Sequence, residues 1–266
     1  MHKQLDDRVI QLERQLKLVE EHFNAAFWSS LDISYGITLP QRTLVCIVCD
    51  FAQRWDSWEK IIDTCMFGGG RLERYRCPKC DCIFGPQKFL DLPERFISQD
   101  YNLLYSRYSE SDSTDDEIKT FHSLKPSQGG LFLDWGCGGI WNEAVHALRE
   151  QSFDVWGYEP AAETSSQFIV SDRGEISAKF DGIFSNNVIE HFRDPVAQFE
   201  DFRSLLTTNG MMAHSSPCYE YRYAFTRFHT LFLLGRSPNI LAERTGFRVV
   251  EKFHDGDYIN LVYSVI

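Results

Sequence analysis

The sequence predicts an α/β protein: a doubly wound sheet ending in an antiparallel hairpin, preceded by a small cysteine-rich module and an N-terminal helix. Three observations predict it. Between residues 127 and 266, strand-like apolar runs alternate with helix-like segments. The first such pair, Leu131 to Trp135 and Ile140 to Glu150, flanks the glycine-rich turn Gly136 to Gly139. Two Cys-x-x-Cys pairs, Cys46/Cys49 and Cys77/Cys80, stand upstream of that turn.

Length and composition set bounds. The 266 residues allow one large domain or two smaller ones. No apolar run approaches the roughly 18 residues that a membrane span needs, and no secretory pattern opens the chain. A soluble cytoplasmic protein with no membrane span is the expectation. The formal net charge is −11, which argues against a nucleic-acid partner, because phosphates are neutralised by Lys and Arg.

Residues 1–33 form the first unit, an N-terminal helix. Leu5, Val9, Leu12, Leu16, Val19, Phe23 and Ala26 follow a heptad seam with charged residues between. So narrow a stripe needs a partner. Either it is a coiled coil through residues 1–30 that makes a homo-oligomer, or it packs on the chain's own body.

Residues 34–93 form the cysteine-rich unit. Six of the eight cysteines lie between positions 46 and 82. Without an export signal this reads as metal binding rather than disulfides. Cys46, Cys49, Cys77 and Cys80 supply the four thiolates of a tetrahedral structural zinc site. Cys65 and Cys82 read as packing residues. The intervening segment carries Trp55, Trp58 and a glycine hinge, Gly68 to Gly70.

Residues 94–126 connect the halves. Tyr101, Leu104, Tyr105 and Tyr108 fall at helical spacing. Glu110 to Glu117 carries five acids and no base, a solvated, mobile segment by composition.

Residues 127–266 form the sheet domain. Asp134 is informative: a carboxylate at a glycine turn repels a dinucleotide pyrophosphate and attracts a ligand with a positive amino group, such as S-adenosylmethionine. Phe153 to Glu159 reads as the second strand, and an acid at its end accepts hydrogen bonds from ribose hydroxyls. Thr164 to Ser171 reads as helical. Phe180 to Asn186 reads as a strand, and Asp194-Pro195 opens a helix that Asn209-Gly210 closes. Met211 to Ser215 is the next strand. Ala224 to Arg244 reads as mostly helical, and Asp255-Gly256 turns a terminal hairpin.

These motifs resemble the class I S-adenosylmethionine-dependent methyltransferases over about residues 130–253. Asp134 to Gly138 is similar to the family's first motif, Glu159-Pro160 to its ribose-binding motif, and Phe180 to Pro195 to the fourth-strand motif of the small-molecule branch. Phe228 to Phe232 and Thr245 to Phe247 are similar to that branch's C-terminal part. Tyr75 to Phe84, with Cys77 and Cys80, resembles the zinc-binding portion that precedes some of these domains, as in bacterial methyltransferases acting on nucleotide-linked and surface-glycan sugars. The resemblance implies a seven-stranded, Rossmann-like sheet and S-adenosylmethionine as cofactor. Asp134, Gly136, Cys137, Gly138 and Gly139 would line its methionine portion, Glu159 and Pro160 its ribose, and Asn186 and Asn187 would lie near its amino-acid portion and the transferring methyl. Ile140 stands where the family has a third glycine, so the turn there is expected to differ.

His191 and His229 are the candidate general bases; His214, at a strand end, is weaker. Pro217-Cys218 lies too late in the domain for a cytosine-type nucleophile. The expected function is methyl transfer to a small polar acceptor, a sugar hydroxyl in glycan or nucleotide-sugar metabolism. The alternatives are an RNA methyltransferase gripping RNA through the zinc module, and a scaffold with a degenerate fold. Residues 127–266 carry 11 Lys/Arg against 18 Asp/Glu, net −7, which disfavours RNA.

Overall fold

The computed structural model describes residues 2–105, 108, 111–162 and 164–266, with side chains from residue 8 onward. Helix α1 (His2–Thr38) is a continuous 37-residue helix. Along its first part Val9, Leu12, Leu16, Val19 and Phe23 are 49–70% exposed. Leu5, the first heptad position, lies outside the described side chains. From Trp28 onward the helix lies on the body. Trp28 is buried and stacks on Phe89, and Asp32 takes the Lys88 ammonium at 2.6 Å. One helix thus has a docked end and an end whose apolar stripe the described residues leave uncovered.

Strands β1 (Thr43–Val45) and β2 (Ala52–Arg54) pair around the first cysteine knuckle. Strands β3 (Glu59–Thr64) and β4 (Arg71–Arg76) form a second hairpin. The expected glycine hinge is the turn of that hairpin, with Gly68 and Gly70 at positive φ. Strand β5 (Ile83–Phe84) follows the second knuckle. Helices α2 (Gln87–Leu90), α3 (Glu94–Tyr105) and α4 (Thr114–Ser123) lead into the sheet domain. From Thr114 onward the acidic run is helical, which its composition does not imply. Asp115, Asp116 and Glu117 form the first turn of α4, where helix N-terminal amides favour carboxylates. Glu110 lies outside the described residues.

The sheet domain runs β6 (Leu131–Trp135), α5 (Glu143–Glu150), β7 (Asp154–Tyr158), β8 (Ile169–Val170), β9 (Phe180–Asn186), α6 (Pro195–Leu205), β10 (Leu206–Ser215), β11 (Leu231–Phe232), α7 (Ser237–Arg244), β12 (Phe247–Asp255) and β13 (Tyr258–Val265). Seven strands make the main sheet in the order β12-β13-β10-β9-β6-β7-β8. The five strands from β10 to β8 are parallel, and β13 is antiparallel to both β10 and β12. The order reverses between β6 and β9. A crevice opens there at the carboxyl ends of the strands, where such sheets bind ligands.

Three local expectations fail for tertiary reasons. Thr164 to Ser171 is not a helix: its end forms β8 beside β7, and a single 3-10 turn (Arg173–Glu175) follows. A cavity of about 190 Å³ lined by Leu133, Trp156, Val170 and Phe180 lies on that face of the sheet. Asn209-Gly210 does not cap α6, because β10 already starts at Leu206 and absorbs the pair in a register shift before Met211. Ala224 to Arg244 is not one helix. Its Leu231–Phe232 pairs with β5, making the fourth strand of the sheet β11-β5-β4-β3. Phe228 and Phe232 are buried between the two units rather than forming a helix face, whereas Phe225 is exposed.

The core follows the layers. On one face of the main sheet Phe121, Val145 and Leu148 pack on Phe132, Phe184 and Val262. On the other, Phe199, Phe202 and Leu241 pack on Leu133, Ile183 and Tyr263, and this core continues into Phe84, Phe232 and the knuckle cysteines.

Candidate active site

Strand β6 delivers Asp134 and Trp135 to the crevice, and the glycine turn follows. Gly136 and Gly138 have φ of +78° and +82°. A side chain at Gly136 would meet Val188 at 2.8 Å, so only glycine lets the turn approach the fourth-strand segment. Cys137 is buried beneath the turn against Gly157. Ile140 and Trp141 point outward, 55% and 58% exposed, so the residue standing in place of a third glycine puts its side chain into solvent. Asn142 caps α5 through Val145 N–H at 2.7 Å. Its Nδ2 donates at 2.8 Å to the Cys137 carbonyl and to Glu117, which pins the turn.

Three carboxylates surround this turn. Asp134 is 1% exposed. Burial pushes its carboxyl well above the usual carboxylate range, and the negative fields of Glu117 and Glu159 add to the effect. Glu117 is itself raised by burial. Glu159, one residue past β7, accepts the Gly138 N–H at 2.8 Å and the Ala161 N–H at 2.9 Å. Each carboxylate oxygen has a second lone pair, so both can still accept from ribose hydroxyls. Pro160 is exposed beside Glu159.

Asp134 Oδ2 and Asn186 Nδ2 are buried with no hydrogen-bond partner among the described residues. A buried acceptor and a buried donor left without partners are costly. The amino-acid portion of S-adenosylmethionine supplies the complements, an ammonium for Asp134 and a carboxylate for Asn186. The Asn186 Oδ1 accepts from the Ser215 hydroxyl, which fixes the amide's orientation. Asn187 is exposed at positive φ, and its N–H donates to Ser215 O at 2.9 Å. On this chemistry the residues fit the cofactor.

The four knuckle cysteines meet as the sequence predicts. Their sulfurs lie within 4.8 Å of one another, with Cys46–Cys80 at 3.6 Å and Cys49–Cys77 at 3.5 Å. Four sulfurs about 2.3 Å from a tetrahedral zinc would be about 3.8 Å apart. The knuckles match in backbone as well: Asp50 and Asp81 have φ of 57° and 69° and donate to Cys46 O and Cys77 O. Cys82 is buried and hydrogen-bonds Cys46; bonds from Cys80 and Cys82 hold the Cys46 thiol well below the usual thiol range. Cys82 is not part of the four-ligand group.

A second cavity, of about 300 Å³, opens beside the crevice. Tyr101, Tyr105, Tyr108, Asn187, His191 and His229 are among the residues that line it. The structure therefore brings both candidate bases together, with ring centroids 5.1 Å apart. His214 is elsewhere: it is fully buried on Phe202, and burial lowers it to about 3. Cys218 is buried in the core.

A sequence profile of the methyltransferase domain family matches residues 114–252. The chain belongs to this family. Among solved structures, the fold is similar to the 1,6-didemethyltoxoflavin-N1-methyltransferase of Burkholderia thailandensis, with 14% identity, 73% of this chain and 95% of that chain covered, and a TM-score of 0.51. It is also similar to the CcbJ methyltransferase of Streptomyces caelestis, with 12% identity, coverage of 61% and 94%, and a TM-score of 0.45. No curated protein sequence matches the chain. Among the described residues no helix is long and apolar enough to cross a membrane.

In this methyltransferase the cavity is built jointly with the cysteine module. Phe67, from the β3–β4 turn, lines the cavity. Arg227 pairs with Asp100 through two bonds of 2.6 Å and donates to Phe67 O at 3.0 Å. His229 donates from Nδ1 to Tyr223 O at 2.8 Å, and burial with the neighbouring His191 pushes it well below the usual histidine range. His191 is fixed by the Tyr101 hydroxyl, 2.8 Å from Nδ1. Glu117, Asn142, Tyr101 and Arg227 were not singled out from the sequence as site residues. Glu117 carried a usable signal: Ile118 and Phe121 beside it have the spacing of a helix face.

Proposed function

We propose that this methyltransferase transfers the methyl group of S-adenosylmethionine to a sugar hydroxyl of a nucleotide-linked, lipid-linked or polymeric glycan. The observation that carries the reading is the cavity joining tyrosine rings to Asn187, His191 and His229 at the carboxyl end of β9. Flat aromatic faces suit the apolar faces of a sugar ring, and polar groups at one end suit its hydroxyls.

The cofactor, when bound, supplies a methyl group already activated by its sulfonium. Asp134 and Asn186 would hold its amino-acid portion and Glu159 its ribose. The tyrosine wall excludes water and aligns the acceptor. His191 and His229 would assist loss of the acceptor's proton as its oxygen attacks. The zinc module and the 223–230 loop position the acceptor. The stripe from Val9 to Ala26 would pair with a second copy of this chain.

Transfer of a labelled methyl group to a panel of nucleotide-linked sugars tests the reading. An O-methyl sugar is the expected product. Labelling of amines or planar heterocycles with no sugar labelled would overturn the acceptor class, and steep salt-sensitive RNA binding would favour a nucleic-acid acceptor.

A further inference from the structure

We propose that Glu190, His191 and His229 form a second metal centre, which holds a divalent transition-metal cation at the polar end of the acceptor cavity. The proposal deepens the reading of that cavity as the acceptor site and rests on it for the cation's role. One potential ligand atom of each residue lies within 4.8 Å of the other two. The residues come from two segments that the fold clamps together: Thr230 N–H donates to Glu190 O at 2.8 Å. All three line the cavity, so a cation there would keep open positions for an acceptor.

The surroundings of the three residues argue for ligation over casual proximity. A backbone carbonyl only accepts. Tyr223 O lies 2.8 Å from His229 Nδ1, and Phe228 O lies 3.1 Å from His191 Nδ1. His229 Nδ1 therefore carries the hydrogen, and so does His191 Nδ1 when the Tyr101 hydroxyl, 2.8 Å away, accepts beside the Phe228 carbonyl; both Nε2 atoms then present a lone pair. The Ser216 hydroxyl donates to Glu190 Oε2 at 2.7 Å, orienting a carboxylate that is 1% exposed. Every proposed ligand has a fixed outer partner, which is how protein metal sites orient their first shell.

Two imidazoles and one carboxylate select a zinc-, cobalt-, manganese- or iron-like divalent cation over calcium or magnesium. Its role would be to polarise the acceptor hydroxyl. The O–H bond then releases its proton to solvent, the new O–CH3 bond forms, and the C–S bond breaks with its electron pair passing to sulfur. The acidity comes from the cation, and neither histidine takes the proton.

Cobalt(II) titration of the full chain, with its cysteine site already filled by zinc, tests the centre. The expected result is one equivalent of cobalt with visible d–d bands and no thiolate charge-transfer band. His229→Gln and His191→Gln should each weaken uptake about 100-fold, while both variants keep zinc and bind S-adenosylhomocysteine. Absence of uptake at millimolar cobalt, or unchanged uptake in the variants that bind S-adenosylhomocysteine, would overturn the centre. A failure to label any sugar leaves the cobalt result standing, and sugar labelling without cobalt uptake removes the metal centre alone.

Discussion

The guanidinium of Arg74 donates to the carbonyl oxygen of His229 at 3.1 Å. Arg74 sits on β4 of the cysteine module and His229 on the wall of the tyrosine-lined cavity. The same guanidinium reaches Ala224 O at 2.7 Å and Thr226 O at 2.6 Å. It is fully buried, so it stands in for a stretch of secondary structure and holds a loop that forms neither helix nor long strand. The module therefore supports a wall of that cavity as well as being an appendage in sequence.

Arg74→Met should destabilise the protein by about 3 kcal/mol, because it leaves several buried carbonyls without donors. Urea unfolding measures this. Affinity for S-adenosylmethionine should change little, since Asp134 and Glu159 lie on other elements, whereas methyl transfer should fall as His229 loses its support.

Metal analysis should find one zinc in the cysteine site. Removing it with a strong chelator, or Cys77→Ser, should unfold the module and, through the β5–β11 pairing, disorder the acceptor wall. Near-ultraviolet circular dichroism of Trp55 and Trp58 reports the loss. An unchanged spectrum in metal-free protein would remove zinc from the account.

The frame of the fold was legible in the sequence, and its joints were not. Strand β6, the Asp194 cap of α6 and the Asp255-Gly256 hairpin announce themselves locally. Their periodicity and turn residues act within a few positions. Strand β11 could not be read that way, because Leu231 and Phe232 become a strand only when Ile83 and Phe84 lie beside them. The cysteine tetrad and the glycine turn were visible as spacings. Glu117 and Tyr101 were not, because their roles come from where α4 and α3 dock. Acidic composition described Glu117 as solvated, and burial against Asn142 reverses that.

Deleting residues 1–22 removes most of the exposed stripe and none of the contacts from Trp28 onward. Light scattering should show a smaller assembly, with affinity for S-adenosylmethionine unchanged. An unchanged mass would mean the stripe does not join copies of this chain.

Asp134 gives a signed pH dependence. Its folded-state pKa is raised above its unfolded value. Its contribution to stability is therefore fully present below about pH 4, the unfolded value, and is lost as pH rises through the folded value. A bound ammonium reverses the preference, so cofactor binding within that window should release a proton. Calorimetry in buffers of different ionisation enthalpy detects it. Asp134→Asn should abolish the release and remove this group's share of the pH dependence.

The central claim is that the acid-lined turn from Asp134 to Gly139 holds S-adenosylmethionine. Calorimetric titration of the full chain with that cofactor tests it most directly. The account predicts saturable one-to-one binding, weakened about 10- to 100-fold by Glu159→Ala through loss of charge-assisted hydrogen bonds to the ribose. No binding by the unaltered protein at millimolar cofactor would contradict it.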